Sequence, residues 1–136
     1  MWLFSETGFV SAVMDEDNPD QIVVRARDKK SLEPLAKFAG VKIVKLSRVT
    51  DYPHRVFVPR SKYAEWVLEL IEKLEYTNYK SRVTETRGHD FADPLHDVWA
   101  TMLQLEYLGP NKKNKKGWHT EYSGGFSMKD YYQTGT

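Results

Sequence analysis

Phe9-Val10-Ser11-Ala12-Val13-Met14, then Asp15-Glu16-Asp17-Asn18-Pro19-Asp20, then Gln21-Ile22-Val23-Val24-Arg25-Ala26-Arg27 is the stretch that decides the fold. Two runs rich in Val and Ile flank an acidic segment containing Asn-Pro. That pattern predicts two strands, 9–14 and 21–27, paired as a hairpin whose loop is too long for a tight turn. Side chains alternate between the faces of a sheet, so Val10, Ala12 and Met14 share a face, as do Ile22, Val24 and Ala26. That face is expected to lie under helices.

Downstream, Ser31 reads as the N-cap of a short helix over 32–39, with Pro34 in its first turn, where a missing N–H costs little. Gly40 stands where a helix-ending glycine is expected. Two further strands are predicted at 42–47 and 55–59, joined through Asp51-Tyr52-Pro53. Ser61 then reads as the N-cap of a stronger helix. Its Tyr63, Trp66, Val67, Leu70, Ile71 and Leu74 recur every three or four residues and define one apolar stripe. Residues 78–87 form a weaker helix closed by Gly88. Asp93-Pro94 reads as an N-cap followed by proline at the first helical position. The helix after it is apolar over a wide arc (Leu95, Val98, Trp99, Met102, Leu103, Leu105), which predicts burial on two sides.

The order strand–strand–helix–strand–strand–helix, followed by two helices, predicts an α+β domain over 1–108. Its antiparallel-rich sheet would be a permuted ferredoxin-like sandwich with extra C-terminal helices. Residues 109–136 contain no Ile, Leu or Val, carry five lysines (112, 113, 115, 116, 129) against Glu121 and Asp130, and read as a flexible polar tail or a docking arm.

Composition excludes several classes. The 136 residues have a net charge of +1, so bulk charge marks neither a basic nucleic-acid binder nor an acidic mimic of one. With no cysteine there is no disulfide framework, thiolate nucleophile or cysteine zinc site. No apolar run reaches the length of a membrane span, and the N-terminus lacks the basic region and cleavage site of a signal peptide. A cytoplasmic protein with no membrane contact is the expectation. Phosphate-binding glycine loops, GxSxG and HExxH are all missing. No catalytic residue and no cofactor is indicated.

The sheet's other face carries the informative pattern. Strict alternation places Phe9, Val13, Val23, Arg25, Arg27, Ile43, Lys45, Arg55 and Phe57 on it, apolar at one end and basic at the other. Three readings stay open. The C-terminal helices cover the apolar part and the cations are solvated or paired. The face is a protein interface, with another protein or a second copy of the chain. Or it lays out a nucleic acid or nucleotide, with aromatics stacking on bases and arginines on phosphates. The candidate contact residues are Arg25, Arg27, Lys45, Arg55 and Phe57 on the sheet, Lys80 on the third helix, and Lys112, Lys113, Lys115 and Lys116 in the tail. A separate cluster, His89, Asp90, Asp93, His96 and Asp97, has metal-ligating residue types. His89, Asp93 and His96 share a helix face only if the helix reaches back to 89. The spacing matches no recognised metal motif, and capping explains it more simply.

Short strings carry a resemblance: Met1-Trp2-Leu3-Phe4; Gly8-Phe9-Val10-Ser11 with Val13; Val24-Arg25-Ala26-Arg27; Asp51-Tyr52 with Arg55 and Val58-Pro59-Arg60; Tyr76-Thr77-Asn78-Tyr79-Lys80; and His96-Asp97-Val98-Trp99. Over residues 1–105 the chain resembles a family of small uncharacterised proteins of bacterial and bacteriophage genomes. The resemblance brings no activity with it and implies a compact, stand-alone, phage-related protein. Arg25, Arg27, Arg55 and Lys80 are the polar members of these strings without an obvious structural task. Trp2, Phe4, Phe9, Tyr79 and Trp99 are expected in the core because of their size. The leading expectation is a non-enzymatic binding protein acting through protein–protein contact. A nucleic-acid or nucleotide binder comes next, and a metal-dependent hydrolase at the histidine cluster third.

Overall fold

The computed structural model describes residues 1–46 and 50–108. It is an α+β structure. The strands are β1 (Trp2–Ser5), β2 (Gly8–Met14), β3 (Gln21–Ala26), β4 (Val44–Lys45) and β5 (His54–Pro59). The helices are α1 (Glu33–Ala39), α2 (Arg60–Glu72), α3 (Tyr79–Arg87) and α4 (His89–Met102), followed by a 3₁₀ turn at Leu103–Tyr107. The chain divides into two compact units, Met1–His96 and Asp97–Thr136.

One antiparallel sheet has the order β1-β2-β3-β5-β4. β3, α1 and β4 form a split βαβ unit with β5 filling the gap. The segment β2-β3-β5-β4 with α1 and α2 is therefore the permuted ferredoxin-like arrangement expected from the element order. β1 is an addition. It pairs with β2 through a two-residue Glu6-Thr7 turn and becomes the outer edge. Glu-Thr is not a glycine-containing hairpin turn of the strongly recognisable kind, which hides the hairpin in the sequence. At the opposite edge, the strand expected over 42–47 shrinks to Val44–Lys45, and residue 47 lies outside the described residues.

The core lies between one sheet face and the helices α1 and α2. Val10, Ala12, Ile22, Val24, Ala26, Val56 and Val58 pack against Leu32, Leu35, Ala36, Tyr63 and Trp66. These include most of the residues that strand alternation assigns to the covered face. The α2 stripe is only half used. Tyr63 and Trp66 are buried and Val67 and Leu70 pack at the margin, whereas Ile71 and Leu74 remain exposed.

Three helix starts differ from expectation. Ser61 does not cap α2, which begins at Arg60 with Pro59 as its N-cap and no side-chain cap hydrogen bond. Ser31 does not cap α1, whose N-cap is Leu32. Its hydroxyl donates instead to Asp28 Oδ1 (2.7 Å) and accepts from the Phe9 N–H (3.2 Å). α4 begins at His89, so Pro94 falls inside the helix, not at its start. The Gly88 carbonyl accepts from the Ala92 N–H (3.1 Å), which opens the helix before Asp93 is reached. The expected two-sided burial is also not found: within α4 only Ala92 is buried, and Met102 and Leu105 are more than half exposed. Elsewhere the local signals hold. Gly40 is left-handed with its N–H on the Ala36 carbonyl, and the Asn78 side chain caps α3 by accepting from the Ser81 N–H.

Ser31 belongs to a network that ties distant segments together. Arg87, at the end of α3, donates to Asp28 Oδ2 (2.8 Å), to the Thr7 carbonyl (2.6 Å) and to Ser31 Oγ (3.3 Å), and lies over the Phe91 ring at 3.7 Å. Burial opposes the Asp28 charge, but hydrogen bonds from Ser31 and Arg87 and the Arg87 charge outweigh it and hold the carboxyl below its ordinary value of 3.8. Because the folded-state value is the lower one, this contribution is complete above about pH 4 and fades as pH falls further. Asp28→Asn is expected to cost roughly 1–3 kcal/mol at neutral pH, because Arg87 then lacks its ion partner. Urea titrations of both proteins at pH 7 and pH 3 should show the gap narrowing in acid. A constant gap would remove the ion pair as its source.

Gly8 is required by close approach. A Cβ there would stand 2.3 Å from Ser31 Oγ and 2.8 Å from Ser31 Cα, so no flexible group could move aside. Gly8→Ala is expected to destabilise by roughly 1–3 kcal/mol in equilibrium unfolding. A change within about 0.3 kcal/mol would show that the strand and the 28–31 segment separate without cost.

Candidate functional site

The strand register fixes which side chains share the sheet's outer face, opposite the core. One row crosses all five strands: Trp2, Ser11, Arg25, Arg55 and Val44. The next row is Val13, Val23 and Phe57. On the other side of the long row lie Phe4 and Phe9, with Arg27 just past the end of β3. No acidic residue and no lysine occupies these rows.

Much of this surface is open. Trp2 is 63% exposed, Val13 38%, Phe57 42% and Val44 43%. Trp2 meets the Phe9 ring edge-on at 5.5 Å, and Phe4 stacks on Phe9 at 4.5 Å. Trp2 is thus a surface residue, contrary to the expectation from its size, and Phe4 and Phe9 are half-buried on this face instead of belonging to the helix-covered core.

Arg25 and Arg55 stand directly opposite each other on adjacent strands, an arrangement that repels in isolation. Tyr52 makes it tolerable. The β4–β5 connection folds Tyr52 against this end of the face, where it is buried, and its ring takes Arg25 Cζ and Arg27 Cζ, each at 4.9 Å from the centroid. Arg27 Nη1 donates to the Asp51 carbonyl (3.0 Å), Arg55 Nε to the Tyr52 carbonyl (3.5 Å), and Arg25 Nη2 to Ser11 Oγ (3.0 Å). Arg25 Nε is buried and has no hydrogen-bond partner among the described residues. Among those residues no carboxylate forms an ion pair with any of the three guanidiniums.

The sequence-derived candidates therefore separate. Arg25, Arg27, Arg55 and Phe57 come together. Lys45 does not join them: it lies opposite His54, on the core side, at an exposed edge. Ile43 packs against the core for the same reason. The alternation was carried one residue out of phase across the long connection, and a one-residue slip exchanges the faces. Lys80 belongs to α3, not to the sheet. Lys112, Lys113, Lys115 and Lys116 lie outside the described residues. Sequence reasoning missed Tyr52 and Trp2 as parts of the face. Tyr52 looked like a turn residue, and only the register shows that its loop returns over two arginines. α4 does reach back to His89, yet His89, Asp93 and His96 do not assemble, and no group of three metal-ligating side chains occurs among the described residues. No described helix is long and apolar enough to cross a membrane.

The chain matches no family model, no curated protein and no solved structure.

Tyr52→Phe is expected to leave stability within about 0.5 kcal/mol, whereas Tyr52→Leu should lose roughly 1–2 kcal/mol, because the aromatic face that holds both guanidiniums is gone. Denaturant midpoints of the two variants decide it. Equal values would mean that the ring's electrons contribute nothing to holding the arginine pair.

Proposed function

We propose that this protein is a non-enzymatic binding protein whose outer sheet face docks a protein partner that presents carboxylates among apolar side chains. The observation that carries this reading is the row through Arg25 and Arg55. Guanidiniums without a carboxylate partner among the described residues are set among exposed Trp2, Val13 and Phe57. Aromatic residues and arginine are enriched at protein interface cores, and lysine and acidic residues are depleted there. The composition of these rows follows that pattern. Arginines already held by Tyr52 and Ser11 lose little freedom on binding, which favours them as anchors. The resemblance to small proteins of bacterial and bacteriophage genomes suggests a host protein as the class of partner.

A nucleic-acid partner is less well supported. Of the lysines that would track a phosphate backbone, Lys45 points away from the face.

Peptides selected from a random library on the immobilised protein are expected to combine Asp or Glu with aromatic or aliphatic residues. The triple variant Arg25→Ala, Arg27→Ala, Arg55→Ala should weaken the best of them by about 30-fold or more, with its circular dichroism unchanged. Selected peptides lacking carboxylates, or a folded variant that binds as well as the parent, would refute the reading. Steeply salt-dependent binding of a single-stranded oligonucleotide, lost in the same variant, would transfer the face to nucleic acid.

A further inference from the structure

β1 is the outermost strand, and the hydrogen-bond phase of its ladder shows which backbone groups it leaves unused. The Met1 ammonium donates to the Ala12 carbonyl (2.7 Å) and the Ala12 N–H donates to the Met1 carbonyl (2.8 Å). Met1 and Ala12 are therefore a mutually bonded pair. Bonded and non-bonded pairs alternate along an antiparallel ladder. Given the register, Leu3 with Val10 and Ser5 with Gly8 are the other bonded pairs, and Trp2 with Ser11 and Phe4 with Phe9 are not. The N–H and C=O groups of Trp2 and Phe4 consequently point away from β2, out of the sheet. No described residue bonds to them.

Exposed sheet edges are usually blunted by charge, proline, a bulge or extreme shortness. The β4 edge follows that rule, with two residues, one of them Lys45. β1 does not. Trp2-Leu3-Phe4-Ser5 has no charge, no proline and an unbroken register, and Trp2 is 63% exposed.

We propose that the β1 edge is a homodimer seam, in which two copies pair β1 against β1, antiparallel, about a two-fold axis through Leu3. The phase of the unused groups selects this register. With Leu3 opposite its own copy, Trp2 stands opposite Phe4 of the second chain, and these are the residues whose backbone groups face outward. The two symmetry-related Trp2/Phe4 pairs close four hydrogen bonds. A shift of the axis by half a residue sets outward groups against inward ones, and a shift by a whole residue leaves only one outward pair matched. The side chains agree with the backbone. The two-fold keeps both outer faces on one side, so Trp2 of each copy lies beside Phe4 of the other, a favourable aromatic cross-strand pair. An uncharged seam brings no like charges together. The product is one ten-stranded sheet carrying two copies of the arginine row on one surface. The inference uses the strand edge and not the arginines, so it stands or falls separately from the docking role of the face.

Sedimentation velocity of the full chain from about 1 to about 200 µM should show a dimer forming with concentration, and amide exchange of Trp2 and Phe4 by NMR should slow in parallel. Trp2→Pro removes an outward N–H that the sheet itself does not use, so the variant should fold and remain monomeric. Trp2→Lys keeps that N–H and places a charge on the edge; it should weaken the dimer by about tenfold or more and decides the matter if the proline variant unfolds. The triple arginine variant should dimerise normally. A parent protein that stays monomeric throughout would overturn the seam. So would a folded Trp2→Pro or Trp2→Lys variant that dimerises like the parent, or a dimer in which Trp2 and Phe4 exchange as fast as in the monomer.

Discussion

Arg87 is the residue on which the arrangement of this domain depends. Its side chain is nearly buried, and a buried guanidinium is tolerated only where its charge and its donors are met. Asp28 meets the charge, the Thr7 carbonyl and Ser31 hydroxyl take further N–H groups, and Phe91 covers one side of the plane. These partners come from the end of β3, the β1–β2 turn, the entry to α1 and the start of α4. One side chain thus fixes where α3 lies relative to the sheet. Neighbouring contacts reinforce it: Arg82 pairs with Glu6, and the Tyr79 hydroxyl donates to the Ser5 carbonyl. Gly8 completes the constraint, because the close approach of Ser31 is possible only without a Cβ at that position.

Fixing α3 at the turn end of β1 and β2 has a consequence for the rest of the sheet. α1 and α2 fill the core side, and α3 is committed to the turn, so the outer face keeps exposed aromatic and aliphatic side chains around paired arginines. The same commitment holds the Glu6-Thr7 turn in place and supports β1 at that end, while no described residue pairs with its outer edge. Face and edge are thus two aspects of one asymmetry. Within Met1–His96, α1 and α2 pack on one side of the sheet and α3 at one end of it.

Much of the fold was legible from local chemistry. β2 and β3 announce themselves by β-branched alternation around an acidic turn. α2 shows its apolar stripe, and Gly40 and Gly88 mark helix ends. What failed did so where local signals are weak or compete. β1 is four residues long and its turn lacks glycine and asparagine. Asp93-Pro94 imitates a helix start, but the Gly88 carbonyl had already opened α4. Ser31 has the chemistry of a cap, yet a carboxylate three residues earlier and an arginine from α3 outbid the helix for its hydroxyl. At the candidate site, Arg25, Arg27, Arg55 and Phe57 were accessible by alternation within single strands. Lys45 was not, because phase does not carry across a connection of several residues.

The sequence by itself determined the class of the protein: an α+β fold with an antiparallel sheet, one apolar helix-covered face, and arginines and aromatics alternating with the core residues of β2, β3 and β5. Periodicity is a local property, and side-chain direction in a strand follows from it. Only the tertiary structure decided which strands are neighbours, that Arg25 faces Arg55 across a strand pair, that Tyr52 returns to hold them, and that Trp2 lies on an open edge. Those facts depend on register and on contacts between residues far apart in the chain, and no pattern within a single segment encodes them.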